Sequence, residues 1–246
     1  PVLFSLDTAN KKIILNAGGR YLARRTDGQG TMATDGSESF SIFDDGGIIE
    51  NGQQFYVTYK TFTQPIDIID LYPYTLDWQP GEGDDRLVVD SALKLNASTG
   101  NGFDYVKANM KADTLSGDAG SDTLYGGAGA DLLNGGEGAD YLYGDNGDDS
   151  LYAVDRNTTL DDFGNYMNGG EGSDTIYGST RVDTLVGGDG NDYIVGGGGL
   201  DSIDPGLGSD TVDLRALSSS YGYQRYSLIG GSTGGESDSV ILDYSV

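Results

Sequence analysis

One nine-residue unit, repeated along residues 117–213, constrains the fold of this chain more than any other feature. Each copy joins a six-residue, glycine-rich turn to three residues whose middle one is aliphatic. The turns read GDAGSD, GGAGAD, GGEGAD and GDNGDD and, after an irregular interval, GGEGSD, GSTRVD, GGDGND, GGGGLD and PGLGSD. A short fixed period of this kind is typical of repeat architectures, in which each unit packs on its neighbours.

The chemistry of the unit predicts a coil of two strands and two turns. Glycine allows the positive φ angles of tight turns, and a three-residue strand points its central side chain away from its neighbours. Two units make one 18-residue coil, and stacked coils form two parallel sheets with the central residues between them. The predicted inward residues are Leu115, Leu124, Leu133, Leu142, Leu151, Met167, Ile176, Leu185, Ile194, Ile203 and Val212.

The nine-residue units follow the pattern GGxGxDxUx. They therefore resemble the repeat of RTX (repeats-in-toxin) proteins, which binds Ca²⁺. The resemblance implies a C-terminal parallel β-roll with several Ca²⁺ ions, each lying between turns one coil apart and taking the Asp carboxylate and backbone carbonyls from both. The implied aspartate ligands are Asp104, Asp122, Asp131, Asp140, Asp149, Asp174, Asp183, Asp192, Asp201 and Asp210. The implied glycines are Gly117, Gly120, Gly126, Gly127, Gly129, Gly135, Gly136, Gly138, Gly144, Gly147, Gly169, Gly170, Gly172, Gly187, Gly188, Gly190, Gly196, Gly197 and Gly199.

The resemblance sorts these turns onto two edges of the roll. One edge carries well-formed turns that end at Asp131, Asp149, Asp174, Asp192 and Asp210, which implies four ions between them. The other edge has Arg181 where a glycine is expected and contains the irregular residues 153–165, so we expect fewer ions and a gap there. If residues 166–168 are the next strand, the irregular interval is a turn lengthened by seven residues. It is either a ligand loop or a tolerated surface insertion.

Charge independently favours a metal-binding roll. Residues 112–213 hold 21 acidic and two basic residues, a net charge of −19 out of −25 for the chain. Carboxylates at this density repel one another unless a cation lies among them, and hard oxygen ligands suit Ca²⁺ better than a transition metal. One aliphatic residue per unit is a thin core, whereas ordering about 100 residues costs on the order of 100 kcal/mol. We therefore predict that the roll folds when it binds Ca²⁺.

The flanking sequences complete an all-β chain of three parts. Residues 1–79 alternate apolar clusters with glycine-rich turns, which predicts a small antiparallel β-domain, either a sandwich or trefoil-like. The roll is predicted over residues 80–213, beginning with the decayed turns PGEGDD and TGNGFD, and the glycine-poor segments around Leu95 and Met110 are expected to cap it. Residues 214–246 are predicted to be a C-terminal β cap, as a hairpin or at the sheet edge, or alternatively a type I secretion signal.

Composition excludes several classes of chemistry. The chain has no histidine, so the GGSTG at residues 230–234 lacks the base of a serine hydrolase and no zinc-protease helix motif can form. It also has no cysteine for disulfides or thiolate sites. Its acidity disfavours nucleic acid as a partner, and no apolar run reaches the roughly 18 residues of a membrane span. We predict a protein that is not an enzyme.

Two functions remain open at this point. The first is a secreted, extracellular calcium-binding protein with a structural or adhesive role in a surface layer, an adhesin or a self-assembling matrix, with itself or cell-surface carbohydrate as partner. The second is the C-terminal export and folding module of a secreted RTX enzyme or toxin. Tyrosines at outward strand positions either contact such a partner or only reflect the strand propensity of tyrosine. These tyrosines are Tyr125, Tyr141, Tyr143 and Tyr166 on one sheet, and Tyr152, Tyr177 and Tyr193 on the other.

Overall fold

The computed structural model describes most of the repeat region and strands on either side of it. The described residues are 4–7, 12–15, 39–44, 53–59, 62–68, 75–79, 81–90, 93–154, 163–214, 227–228 and 238–241. They form strands, turns and bends, and none of them is helical. Within these ranges, therefore, no helix is long and apolar enough to cross a membrane.

The described strands form two large sheets and one small one. The first sheet has eleven strands, in the spatial order β1 (Phe4–Asp7), β2 (Lys12–Leu15), β6 (Thr75–Trp78), β9 (Lys94–Ser98), β12 (Thr114–Ser116), β15 (Leu132–Asn134), β17 (Ser150–Tyr152), β19 (Thr175–Tyr177), β21 (Tyr193–Val195), β23 (Thr211–Asp213) and β25 (Ser239–Ile241). The second sheet also has eleven, in the order β5 (Phe62–Ile68), β4 (Gln53–Tyr59), β3 (Ser39–Asp44), β8 (Arg86–Asp90), β11 (Tyr105–Lys107), β14 (Thr123–Ala128), β16 (Tyr141–Asn146), β18 (Tyr166–Glu171), β20 (Thr184–Asp189), β22 (Ser202–Leu207) and β24 (Ser227–Leu228). A three-stranded sheet joins β7 (Gly81–Glu82), β10 (Gly100–Gly102) and β13 (Ala119–Gly120).

Successive coils stack in parallel with equivalent residues opposite one another. Leu124 of β14 lies opposite Leu142 of β16, and Leu142 lies opposite Met167 of β18. The second step spans 25 residues instead of 18, yet Asp140 pairs with Asn165 as Asp122 pairs with Asp140, so the register of the coils is unchanged. The predicted parallel roll with an 18-residue coil is therefore confirmed, with about seven coils over residues 75–213.

The core is a column of apolar side chains between the two sheets. All eleven predicted inward residues, from Leu115 to Val212, are buried with at most 1% of their surface exposed. The column continues towards the N-terminus through Leu95 and Leu76, which lie opposite each other in β9 and β6. The prediction that the segment around Leu95 caps the roll is wrong, because β9 is paired on both sides by β6 and β12.

The two sheets extend beyond the roll at the N-terminal end. Strand β2 pairs in parallel with β6, and β3 pairs in parallel with β8. The remaining pairs in this part are antiparallel, namely β1 with β2 and β4 with both β3 and β5. The described N-terminal strands thus belong to the same sheets as the roll, and a separate domain of residues 1–79 stays a prediction.

The C-terminal strands lie at the end of each sheet. Strand β24 pairs in parallel with β22, and β25 pairs in parallel with β23. Because β24 and β25 belong to different sheets, they do not form a hairpin with each other. The sequence predicts either a hairpin or strands at the sheet edge for the C-terminal cap. The described strands β24 and β25 have the second arrangement.

Candidate metal centre

The turns of the roll form two rims, each with a ladder of aspartate side chains. The first rim precedes the strands of the first sheet and contains Asp113, Asp131, Asp149, Asp174, Asp192 and Asp210. The second rim precedes the strands of the second sheet and contains Asp85, Asp104, Asp122, Asp140, Asn165, Asp183 and Asp201. This is the sorting onto two edges that the sequence predicts.

In each rim aspartate from Asp104 to Asp210, one carboxylate oxygen accepts a backbone N–H from the neighbouring coil and so joins the coils. The backbone N–H of Asp131 donates to Oδ1 of Asp149 at 2.8 Å, and the N–H of Asp149 donates to Oδ1 of Asp174 at 2.8 Å. On the second rim the N–H of Asp104 donates to Oδ1 of Asp122 at 2.8 Å. The same bond recurs from coil to coil, which orients every rim carboxylate in the same way.

In eight rim aspartates the other carboxylate oxygen is buried and has no hydrogen-bond partner among the described residues. This is true of Oδ2 in Asp104, Asp113, Asp122, Asp131, Asp149, Asp174, Asp192 and Asp201. These aspartates are at most 3% exposed. Burial of an unpaired carboxylate oxygen is costly unless another group compensates its charge. The orphaned oxygens therefore favour a cation at the rims.

The first glycine of each turn shows where that cation would lie. A Cβ added to Gly144 would lie 2.3 Å from Oδ2 of Asp149 and 2.4 Å from the carbonyl oxygen of Gly169 in the next coil. A Cβ on Gly169 would lie 2.2 Å from Oδ2 of Asp174 and 2.6 Å from the carbonyl oxygen of Gly187. A carboxylate oxygen and a carbonyl oxygen from adjacent coils thus border the same small space. Hard oxygen donors of this kind are the ligands of Ca²⁺.

The glycine at the fourth position of a turn brings consecutive coils close together. Gly147 and Gly172 have φ angles of 134° and 133°, which favour glycine. A Cβ on Gly147 would lie 1.6 Å from the carbonyl oxygen of Gly129 in the preceding coil. Several predicted glycines share a positive φ, namely Gly120, Gly127, Gly129, Gly136, Gly138, Gly170, Gly188, Gly190, Gly197 and Gly199. Two turns have an aspartate in the second position, Asp118 and Asp145, which also take positive φ.

Burial and neighbouring charges make the rim carboxylates hard to ionise without a cation. The pKa of Asp122 is raised to about 8, mainly by loss of solvation and also by the charges of Asp140 and Asp104. Burial is also the main cause at the other positions. The pKa is raised to about 7 for Asp113, Asp174 and Asp201, and to about 6 for Asp131, Asp149 and Asp192. A divalent cation between two facing turns would stabilise the ionised form of their carboxylates.

The rims do not gather acidic side chains into clusters. Within the described residues, no group of three or more Asp, Glu, His or Cys side chains is placed to hold a metal ion. Each rim aspartate instead stands as a single buried carboxylate, and the first-glycine spaces beside it are bordered by backbone carbonyl oxygens of the next coil. Ligation of Ca²⁺ by the predicted aspartates and glycines accordingly stays a prediction, and it depends on main-chain oxygens as much as on side chains.

Three rim residues were missed by the sequence analysis: Asp85, Asp113 and Asn165. The N–H of Asp85 donates to Oδ1 of Asp104 at 2.7 Å, and Asp113 accepts from the N–H of Leu95 at 2.7 Å. Spacing alone could have found Asp113, which lies 18 residues before Asp131. Asn165 replaces an aspartate in the lengthened turn, where no glycine pattern marks the position.

The two ladders, the stacked coils and the oxygen-lined spaces define a metal-binding parallel β-roll. The family described as RTX calcium-binding nonapeptide repeat matches the chain in four copies, at residues 98–133, 125–153, 161–180 and 177–212. The match confirms the resemblance of the repeat region to the RTX family, whose nonapeptide repeats bind several Ca²⁺ ions per repeat domain. Neither the curated proteins nor the solved structures compared with this chain gave a match.

Proposed function

We propose that this chain is a secreted, calcium-rigidified structural module whose roll folds when Ca²⁺ fills its rims. RTX repeat proteins are typically exported by type I secretion and bind extracellular calcium. The observation that carries the proposal is the row of eight buried carboxylate oxygens without partners on the two rims. Without an ion, these buried oxygens destabilise the stacked coils. An ion between two turns compensates the carboxylate charge and joins the two coils.

The role of the bound ions in this proposal is mechanical. Ca²⁺ supplies a hard, divalent charge that carboxylate and carbonyl oxygens can share. The residues of this chain do the rest: Oδ1 of each rim aspartate fixes the side chain by accepting an N–H from the neighbouring coil. The first glycine keeps the space open, since any Cβ there would occupy it. Ion binding therefore acts on the contact between two coils and propagates along the roll.

The outward tyrosines support a structural role more than a sugar-binding one. Tyr125 and Tyr143 are stacked with ring centroids 4.5 Å apart and planes 5° apart. Tyr152 and Tyr177 are stacked at 5.1 Å and 5° on the other sheet. In a stacked pair each ring covers one face of its partner, and a ring face is the surface that a sugar ring would use. The tyrosine rows thus stabilise the register of adjacent coils, as cross-strand aromatic pairs do.

Circular dichroism of the full chain during a calcium titration tests this proposal. We expect little strand signal in chelator and a cooperative gain of strand signal as Ca²⁺ is added. Mg²⁺ at the same concentration is the control and is expected to have little effect, because it demands an octahedral shell and dehydrates reluctantly. A strand signal that is already complete in chelator would refute calcium-driven folding.

Sedimentation of the same samples tests the structural role. A rigid monomer that becomes compact in Ca²⁺ fits a spacer, and calcium-dependent assembly into larger species fits a matrix component. Hydrolytic activity in a longer product of the same gene would instead favour the export module of a secreted enzyme.

A further inference from the structure

Two consecutive positions of the second rim, residues 165 and 183, differ from the rest of the ladder. In five turns of the roll the orphaned aspartate oxygen faces the first glycine of its own turn, as Oδ2 of Asp122 faces Gly117. At residue 183 the second oxygen has donors within the protein, and at residue 165 the second oxygen does not exist. The RTX calcium geometry does not fit either position.

The carboxylate of Asp183 is satisfied by its own turn. The backbone N–H of Ser179 donates to Oδ2 of Asp183 at 2.7 Å, and the Ser179 hydroxyl lies 3.0 Å from the same oxygen. The N–H of Arg181 in turn donates to the Ser179 hydroxyl at 3.0 Å, which leaves the hydroxyl proton for the carboxylate. Oδ1 of Asp183 accepts the N–H of Asn165 at 2.7 Å, as in the rest of the ladder. Ser179 is 3% exposed, so these bonds are shielded from water.

The position of Asn165 lacks the second carboxylate oxygen that the aspartates of the ladder have. Its Oδ1 accepts the N–H of Asp140 at 2.8 Å and so continues the ladder. Its other terminal atom is the amide nitrogen, which is a donor and cannot ligate a cation. The residue at the first-glycine position of this turn is Ala153, which lies one coil after Gly135 and is fully buried. Ala108 holds the same place in the turn that ends at Asp113, so the missing second carboxylate oxygen, and not the methyl group, distinguishes the position of Asn165.

We propose that these two rim positions hold no cation, and that a calcium-independent clasp replaces it: Asn165 joins the coils that contain Asp140 and Asp183, and Ser179 satisfies the carboxylate of Asp183. Protein donors take the place of an ion in the coil that carries the seven extra residues. The inference rests on the proposed calcium-driven folding, since it describes which rim positions take part in it. The first rim is then a continuous row of ion sites, and the second is divided in two.

Restoring the repeat sequence tests the clasp directly. Calcium bound per folded chain is counted by native mass spectrometry of the full-length protein in excess Ca²⁺. The double variant Ser179→Gly/Arg181→Gly is expected to bind one ion more than the wild type, and so is Ala153→Gly/Asn165→Asp. Ser173→Gly is the matched control, because Ser173 is an exposed serine of the first rim, and it is expected to leave the count unchanged. Counts equal to the wild type in both repaired variants overturn the clasp.

Removing the aspartates gives a second measurement in the wild-type background. Asp201→Asn, one coil beyond the clasp, is expected to bind one ion fewer, because Oδ2 of Asp201 has no partner. Asp183→Asn is expected to keep the wild-type count, and the loss of one ion there overturns the proposal. If Asp183→Asn does not fold, the repaired variants decide.

The same experiment separates the two proposals. A wild-type chain that binds no calcium, or that folds fully without it, contradicts the proposed function. A wild-type chain that folds on calcium while its repaired variants gain no ion contradicts only the clasp.

Discussion

Substitution of the first glycine of a turn is the sharpest test of the rim sites, and Gly144→Ala is the best case. Its φ angle is not in the left-handed region, so alanine meets no backbone penalty at this position. Space alone forbids the methyl group. The added Cβ would lie 2.3 Å from Oδ2 of Asp149 and 2.4 Å from the carbonyl oxygen of Gly169. Both atoms border the space assigned to an ion, and the second belongs to the backbone of the next coil.

The expected effect can be estimated from linkage. An ion present at 100 times its Kd contributes about 2.7 kcal/mol to the stability of the folded state. Alanine in place of glycine restricts the unfolded chain and returns about 0.4–1 kcal/mol. We therefore expect Gly144→Ala to bind one ion fewer and to lose about 2 kcal/mol of unfolding free energy in saturating Ca²⁺, with a larger loss if the carbonyl of Gly169 has to move.

Urea denaturation in excess Ca²⁺ and native mass spectrometry measure the two quantities. Glu171→Ala is the matched control, because it removes an exposed carboxylate from an adjacent turn, and exposed substitutions usually change stability by less than about 0.5 kcal/mol. If Gly144→Ala keeps both the ion count and the stability of the wild type, the space beside Asp149 is not an ion site.

Three further predictions concern the core, the tyrosine rows and pH. Leu142→Ala truncates a fully buried core residue and is expected to cost about 2–5 kcal/mol in urea denaturation with Ca²⁺, and a loss below 1 kcal/mol would contradict a column packed between two sheets. Tyr143→Leu removes a stacked ring and is expected to lower the unfolding free energy by about 0.5–1.5 kcal/mol in the same assay. Tyr141→Leu is the control and is expected to lower it less, because Tyr141 is 51% exposed. Equal losses in the two variants would contradict the stacking argument. Folding raises the pKa of Asp122 from 3.8 to about 8 and that of Asp174 from 3.8 to about 7. In calcium-free protein, these groups therefore add to the stability of the roll below about pH 4, where they are protonated. This contribution to the stability is lost as the pH rises towards 8 and the groups ionise. Circular dichroism is expected to show more strand at pH 5 than at pH 8 without Ca²⁺, and the reverse order would contradict the burial of these groups.

The regular part of the fold could be predicted because its determinants are local in the repeat. The alternation of a turn with an aliphatic centre placed Leu115 and Val212 in the core without any knowledge of distant residues. The same spacing placed the rim aspartates in two ladders. A solenoid allows this inference because each residue contacts its equivalents in the adjacent coils.

The departures could not be predicted because they depend on contacts that the repeat does not encode. Arg181 marked an irregular turn, but the residue that satisfies Asp183 is Ser179, through a hydroxyl whose direction only the folded turn defines. Asn165 follows the extra residues, where the period gives no position to compare. In the N-terminal part, β2 and β3 join the sheets of the roll by pairing with β6 and β8, and neither strand carries a repeat signature.

The uniform stacking of the coils makes the length of this molecule adjustable in steps. A coil meets the next one through the same core position and the same rim bond at every level from Leu124 to Leu185. Duplication or deletion of one whole coil would join surfaces that already match and would change the reach of the rod by one strand spacing, about 4.8 Å. Gain or loss of whole coils can thus change the distance between the N-terminal and C-terminal coils without a change in the sequence of either.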